Sequence, residues 1–564
     1  MTGRFLAALA AERFFVRLVF GVLALVLPAQ CLFAVSCPVV RHSPPSEADT
    51  AYLAGDFAKA ESLYQAGLAS HRADPELIAG LVHSLLRQQK TQEASDFLKK
   101  VSNDTPNSAG TTQAAGGGST MVPATVGTAP SGVLVTLRGE VEFRQGAPWA
   151  AEASVMTSYK LDPCNPRTRL LFAHISQINS RYATARQQIL LAHQFDPLDP
   201  EIRLAWIETL PVPQRTTELE SYLAAPSGDD AETLRQLHVE LDHLKKPSTE
   251  PARACQLVST TAAADLPFIN LMARQHLRAF GLEVGLNGTP TRLQLGAGEE
   301  GLVVYRSVAE HAGLKQLAQS APEISASGKP SYLAYADSIK LGGLEFKDCT
   351  VKVIDSASPF DDGDGTIGMD VFSNFLLTLD YPMHKVQLGP LPVRPGVQPA
   401  TPSLKTTSAD ASEIAADQAA PVDRFIAPEM KDYTPIYRAG DYLIVPAALN
   451  GTAVKLFILD LSGAPTSVAP EVAKQASKGR EEEIGPPGHS QKAFVADEIT
   501  FDFAHMAQKV NGVVSSDTSG ISRALGMEIS GFLGENTLDK LIMHADYRDG
   551  LLKFEYIPNR GYKF

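Results

Sequence analysis

The chain repeats itself near its end, and that repetition constrains the fold more than any other feature. GTIGMDVFSNFLLTLDYPMHKVQL (365–388) and GFLGENTLDKLIMHADYRDGLLKF (531–554) share one apolar frame. Gly365, Gly368, Asp380 and Tyr381 match Gly531, Gly534, Asp546 and Tyr547 at one constant offset. Two further pairs precede them in the same order. GLEVGLNGTPTRLQLGAG (281–298) pairs with YLIVPAALNGTAVKLFILDLSG (442–463), and YADSIKLGGLEF (335–346) with VADEITFDF (495–503). In the first pair Asn287-Gly288 and Asn450-Gly451 each stand between two strand-like runs, a strong hairpin signal. Short alternating apolar runs broken by turn residues predict β structure. The chain therefore ends in two mainly-β lobes, 268–392 and 433–558, joined by a Pro/Ala/Ser/Asp-rich linker, 393–432.

The preceding part has a different period. Asp162-Pro163 and Asp196-Pro197 lie 34 residues apart, the spacing of a tetratricopeptide repeat, a pair of helices. Gly55, Phe57, Ala60, Tyr64 and Pro75 fit that pattern, as do Tyr182, Ala185 and Ala192, with small residues where helices approach closely. This predicts repeats over 48–102 and repeat-like helices over 133–245. The Gly/Ser/Thr/Pro segment 103–132 between them has linker composition. Such arrays bind proteins or peptides on a concave face.

The N-terminus pairs Arg4, Arg13 and Arg17 with the apolar run LVFGVLALVLPAQCLFAVSC (18–37). A basic start, an apolar core and small residues predict a secretory signal over 1–37, hence export to the periplasm or cell envelope. FAVSC also resembles a lipobox, which would make Cys37 a lipidation candidate. An uncleaved anchor is the third alternative; membrane attachment is expected only through such a signal or lipid. Beyond the signal lie Cys164, Cys255 and Cys349, an odd number without metal spacing, expected as buried or free thiols. No metal site and no cofactor are expected. A net charge of −13 argues against nucleic acid.

With hairpin, loop, the helix-like RSVAEHAGL, flap hairpin, apolar-apolar-Gly segment and closing "DY" strand in this order, each lobe resembles a retropepsin-like aspartyl protease domain of the bacterial type. The expected fold is multidomain: all-α tetratricopeptide repeats followed by two mainly-β lobes of the acid protease fold. The resemblance implies one shared site. Each lobe would supply an Asp from an apolar–Asp–Thr–Gly–Ala loop, and the two carboxylates would share a proton.

The carry-over fails at the chemistry. In LQLGAGEEG the Asp position is Gly296, the Thr position is Ala297, and Gly298 is kept. In FILDLSGAP the Asp is Asp460, while Leu461 and Ser462 replace Thr and Gly. Glu299 and Glu300 are the nearest substitutes, but extended chain advances about 3.3 Å per residue, too far for catalytic geometry unless a turn folds one back. Pairing of Asp460 between two chains is the other way to complete a dyad. Tyr332 and Tyr335 fall in the expected flap of lobe 1 and are candidates for covering the cleft, beside the alternative of ordinary strand tyrosines. Asp370 is expected to cap a short helix, and DDGDG (361–365) to form an exposed turn rather than a calcium loop. The sequence thus points to an exported, catalytically impaired pseudoprotease that binds peptides or proteins. The alternatives are an active aspartic endopeptidase built around Asp460 and a purely structural envelope protein.

Overall fold

The computed structural model describes residues 37–104, 131–245, 255–273, 276–296, 298, 300–317, 323–324, 330–355, 363–396, 404, 421–484 and 490–558. The chain up to Val39 forms one unit, and Val40 onward forms a second that holds all the helices and sheets described. Of the expected signal segment only Cys37 is described, and most of both expected linkers lies outside the described residues.

The described residues from 47 to 104 and from 132 to 245 are antiparallel helices. The 34-residue period has a local cause. Asn165 and Asp199 each cap a helix by accepting from backbone N–H groups, with Pro166 and Pro200 at the first helical position. There a proline ring is preorganised and its missing N–H costs nothing. Asp162 and Asp196 make the preceding turns, accepting from the N–H groups of Cys164 (3.0 Å) and Leu198 (3.2 Å). Ala185 and Ala192 are buried at helix contacts, as their size requires; Tyr182 is only partly buried.

Both Asn-Gly pairs form hairpin turns with left-handed backbone at Asn and Gly alike. Gly365 and Gly531 share a steric demand. A Cβ on Gly365 would meet the Val303 carbonyl at 2.0 Å, and one on Gly531 the Ser467 carbonyl at 2.1 Å. The duplication therefore extends to the contact that forbids a side chain.

Each lobe has its own sheet, and a third sheet joins them. Its order is Thr434–Pro435, Leu551–Tyr556, Leu541–Asp546, Phe375–Asp380, Lys385–Pro390, Ala264–Pro267. At its centre the closing strands of the two lobes run antiparallel, with Leu376 opposite Asp546, Thr378 opposite His544 and Asp380 opposite Ile542. Thr378 and His544 are 166 residues apart and hydrogen-bonded at 2.9 Å (Thr378 Oγ1 to His544 Nδ1). They are each other's counterparts in the duplication, so a pseudo-two-fold axis passes between them. The two lobes of one chain thus face each other.

Lobe 1 begins before residue 268. Gln256–Leu257 pairs with the strand Leu344–Ile354, and Ala264–Pro267 forms an edge of the joining sheet. Cys255 and Cys349, expected as thiols, are joined in a disulfide with Cα atoms 4.3 Å apart; Cys164 is disulfide-bonded too. Strand pairing brings the first two together across 94 residues, a proximity that leaves no local trace in sequence. Residues 421–432 depart from linker behaviour, since the Phe425 N–H donates to Asp549 Oδ1 at 2.9 Å and Met430 is buried.

The repeats also share a core with lobe 2. Phe143, Val155, Leu171 and Ile175 of three helices pack with Ile444, Ile458 and Ile529 of the lobe. The Glu528 N–H donates to the Arg144 carbonyl at 2.9 Å. Burying such side chains contributes roughly 1.5–3 kcal/mol each, which holds the array to the lobe.

Candidate active-site cleft

The two loops that carry the chemistry of this fold follow Thr289–Gly296 and Lys455–Leu459. Gly296 lies opposite Gly368 in a parallel ladder. In lobe 2, Leu459 lies opposite Leu533, and the Asp460 N–H donates to the Leu533 carbonyl at 2.9 Å, which brings Asp460 to Gly534. Gly368 and Gly534 are counterparts in the duplication. Gly296 and Asp460 therefore occupy equivalent places, one without a side chain and one with a half-buried carboxylate.

The loops differ in length by one residue. Gly298 has φ +87° and Gly463 φ +96°. The left-handed glycine of lobe 2 is thus Gly463, and Ser462 is the added residue rather than a replacement for glycine. The Ser462 N–H donates to Asp460 Oδ1 at 2.9 Å, which holds the carboxylate to its own loop. Its carbonyl accepts from the Phe280 N–H of lobe 1 at 2.6 Å.

Each loop is braced by the opposite lobe through its left-handed glycine. A Cβ on Gly463 would come within 3.0 Å of the Phe280 backbone nitrogen. A Cβ on Gly298 would stand 2.0 Å from the Tyr442 ring, so this ring fills the space over the lobe 1 loop. Further along, Asp370 does not cap its short helix, which has no side-chain cap. Its fully buried carboxylate instead accepts from the Gly301 N–H at 3.0 and 3.1 Å. The counterpart Asn536 accepts from the Thr466 N–H at 2.8 Å. One side-chain position anchors the end of the loop in both lobes.

Tyr381, from the closing strand of lobe 1, is a site neighbour that sequence reasoning treated only as part of the repeat. It is buried among Phe268, Phe280 and His384. Its hydroxyl has no hydrogen-bond partner among the described residues. Burial first, then the charges of Asp460 and Glu535, push its pKa well up, so it remains a protonated phenol. Glu535 is itself shifted upward, by burial and then by Asp539.

The remaining candidates are placed as follows. Glu300 is exposed; Ala297 and Glu299 lie outside the described residues, as do most of 318–329 and all of 485–489. Tyr335 is buried, with its hydroxyl bonded to Asp348, so it belongs to the lobe's core rather than an exposed cover. Tyr332 is partly buried under the Arg306 guanidinium, 5.9 Å from the ring centroid. Of DDGDG, Asp361 and Asp362 lie outside the described residues, and Asp364 is partly buried and bonded to the neighbouring strand rather than set in an exposed turn, accepting from the Arg292 N–H at 2.7 Å. Cys37 has its sulfur in a disulfide, a state that excludes a thioether-linked lipid on the same atom. Among the described residues no group of three or more His, Cys, Asp or Glu is placed to hold a metal ion, and no helix is long and apolar enough to cross a membrane.

Residues 51–112 match the family model for a tetratricopeptide repeat, and residues 282–371 match the model for an aspartyl protease. No curated protein matches the chain. Among solved structures, a retropepsin-like aspartic protease from Rickettsia conorii aligns over 23% of this chain and 93% of its own, at 15% identity and a TM-score of 0.18. YrrB, described as a TPR protein with an unusual peptide-binding site, aligns over 34% of this chain and 88% of its own, at 14% identity and a TM-score of 0.18.

Proposed function

We propose that this fusion of tetratricopeptide repeats to a two-lobed aspartyl protease domain is an exported pseudoprotease whose cleft holds an extended peptide without cutting it. The observation that carries the reading is the equivalence of Gly296 and Asp460: at the place where one loop carries a carboxylate, the loop across the pseudo-two-fold axis carries a glycine. Hydrolysis in this fold needs one carboxylate to activate water and a second, protonated, to polarise the carbonyl. With glycine at the equivalent place, Asp460 lacks the paired aspartate that this chemistry uses. Losing one member of such a unit typically costs roughly 10⁴-fold or more. Glu300 is an exposed residue four positions past Gly296, outside the place equivalent to Asp460. Strand addition to an open sheet edge would supply affinity without catalysis.

Two further points support the reading. The Cys255–Cys349 disulfide suits an oxidising compartment, as export would provide. The repeats offer a second surface for a protein or peptide partner. The alternative, a working endopeptidase centred on Asp460, is favoured by one observation: the phenol of Tyr381, without a hydrogen-bond partner among the described residues and sensitive to the charge of Asp460.

The test is proteolysis of denatured protein substrates by the full exported chain from about pH 3 to 7, where carboxylates titrate, with Asp460→Asn and Tyr381→Phe alongside. All three chains are expected to be equally inert. Cleavage by the wild type that disappears in Asp460→Asn would refute the pseudoprotease reading.

A further inference from the structure

Away from the cleft, the repeat array and lobe 2 line an open cavity of about 480 Å³. This is the size of a small-ligand site. Leu86, Phe143, Leu170 and Ile178 line it from the helices, and Leu525 and Met527 from lobe 2. The polar lining is mostly self-compensated. Arg87 pairs with Glu201 at 2.8 Å and Asp229 at 3.5 Å. Arg167 pairs with Asp199 at 2.7 Å and also with Glu201. His83 bonds Glu140 at 2.8 Å. Burial lowers the pKa of His174, which leaves it neutral near pH 7.

Two cations on this lining have no carboxylate partner among the described residues. One is Arg144, at the end of the helix Gly132–Arg144. Its guanidinium faces the backbone of Gly526, close enough that a Cβ there would meet Nη1 at 3.1 Å. The other is Arg438 of lobe 2. It lies over the Tyr547 ring at 4.1 Å and donates only to the Arg548 carbonyl, at 3.3 Å. Its Nε is buried without a hydrogen-bond partner among the described residues. A buried unpaired donor on a charged group costs free energy until an acceptor reaches it. Two arginines without an ion pair, on a lining that also carries Leu86, Phe143, Leu170 and Met527, favour an anion that brings its own apolar body.

We propose that this cavity binds a carboxylate attached to a compact apolar group, with Arg144 and Arg438 receiving the carboxylate. The repeats and lobe 2 supply one arginine each, so the ligand bridges the two domains. The chemistry has two sources, a free small carboxylic acid or the C-terminal residue of a peptide. The proposal uses no residue of the Asp460 loop and stands apart from the cleft reading.

The test is calorimetric titration of the full chain with octanoate, with N-acetyl-Leu-Leu as the free acid, and with its C-terminal amide. Octanoate binding identifies a small acid as a sufficient ligand; binding of the dipeptide acid alone identifies a peptide C-terminus. The amide is expected to bind at least tenfold more weakly than the acid. Arg144→Gln and Arg438→Gln should each weaken the acid by about tenfold, the loss of a charge-assisted hydrogen bond. Leu525→Trp fills the cavity while leaving both arginines, and it decides the matter should an arginine variant fail to fold. It should abolish binding. No binding of either acid, equal binding of acid and amide, undiminished binding by Leu525→Trp, or inorganic phosphate binding as tightly as octanoate would overturn the proposal.

Discussion

Replacing Cys255 and Cys349 together by serine should lower the stability of lobe 1 by several kilocalories per mole. The bond closes a loop of 94 residues. For a loop near 100 residues the chain-entropy argument gives about 4.7 kcal/mol of stabilisation, lost when the unfolded chain is freed. Little in the folded state offsets that loss, because both sulfurs are buried and the Gln256–Leu257 strand has only two residues to hold the lobe's beginning in place. The readout is amide hydrogen exchange in Leu344–Ile354, the strand that carries Cys349. At about 1.36 kcal/mol per decade, amides that exchange only through unfolding of the lobe should lose roughly 10³-fold in protection. Helix amides in Pro166–Ile178 should change far less. A loss under tenfold in Leu344–Ile354 would refute the claim that this bond holds the lobe.

Three other outcomes are expected of the same structure. Gly298→Ala combines a left-handed backbone with a Cβ driven into the Tyr442 ring, so it should destabilise by roughly 2–4 kcal/mol. Tyr442→Ala should recover part of that loss, and urea melts of the two single variants and the double variant read the coupling. Asp546 has its pKa raised to about 6, by burial and then by Asp549. A carboxyl whose folded pKa is raised contributes stability below its unfolded pKa, near 3.8, and loses it as pH rises through about 6. Asp546→Asn should therefore flatten the fall in stability between pH 4 and 6, measured as urea midpoints. His174 is shifted downward by burial, so its stabilising effect is present above its unfolded pKa, about 6.5, and is lost as pH falls; His174→Gln should remove that part of the acid sensitivity.

The lobes were legible in sequence because duplication leaves a signal that a single copy lacks. Gly365 and Gly531 repeat since each abuts a carbonyl, and Asn287 and Asn450 repeat since each turns a hairpin. The 34-residue spacing was legible for a similar reason, as Asn165 and Asp199 cap the first helices of successive pairs, each followed by a proline. The site was legible where it followed the ladder, at Gly296 and Asp460. It was misread at Ser462, because only backbone conformation identifies Gly463 as the partner of Gly298. Tyr442, Phe280 and Tyr381 were missed. Each reaches the site from a strand distant in sequence, and strand tyrosines and phenylalanines are unexceptional in composition. The Cys255–Cys349 pairing and the cavity between repeats and lobe were hidden likewise, since contacts across long separations have no period.

The pairing of Thr378 with His544 across the axis has a consequence for what selection can do to such a molecule. In a site made by two identical subunits, every substitution occurs twice, so a residue needed on one side cannot be dispensed with on the other. Placing both halves in one chain ends that constraint. Each side of the axis then accumulates change by itself: threonine on one strand and histidine on its twin, glycine in one loop and aspartate in the other. The joining sheet keeps the halves in register while their chemistries part. A symmetric frame is thereby able to carry an asymmetric function, with one half kept as scaffold and the other left to bear the charge.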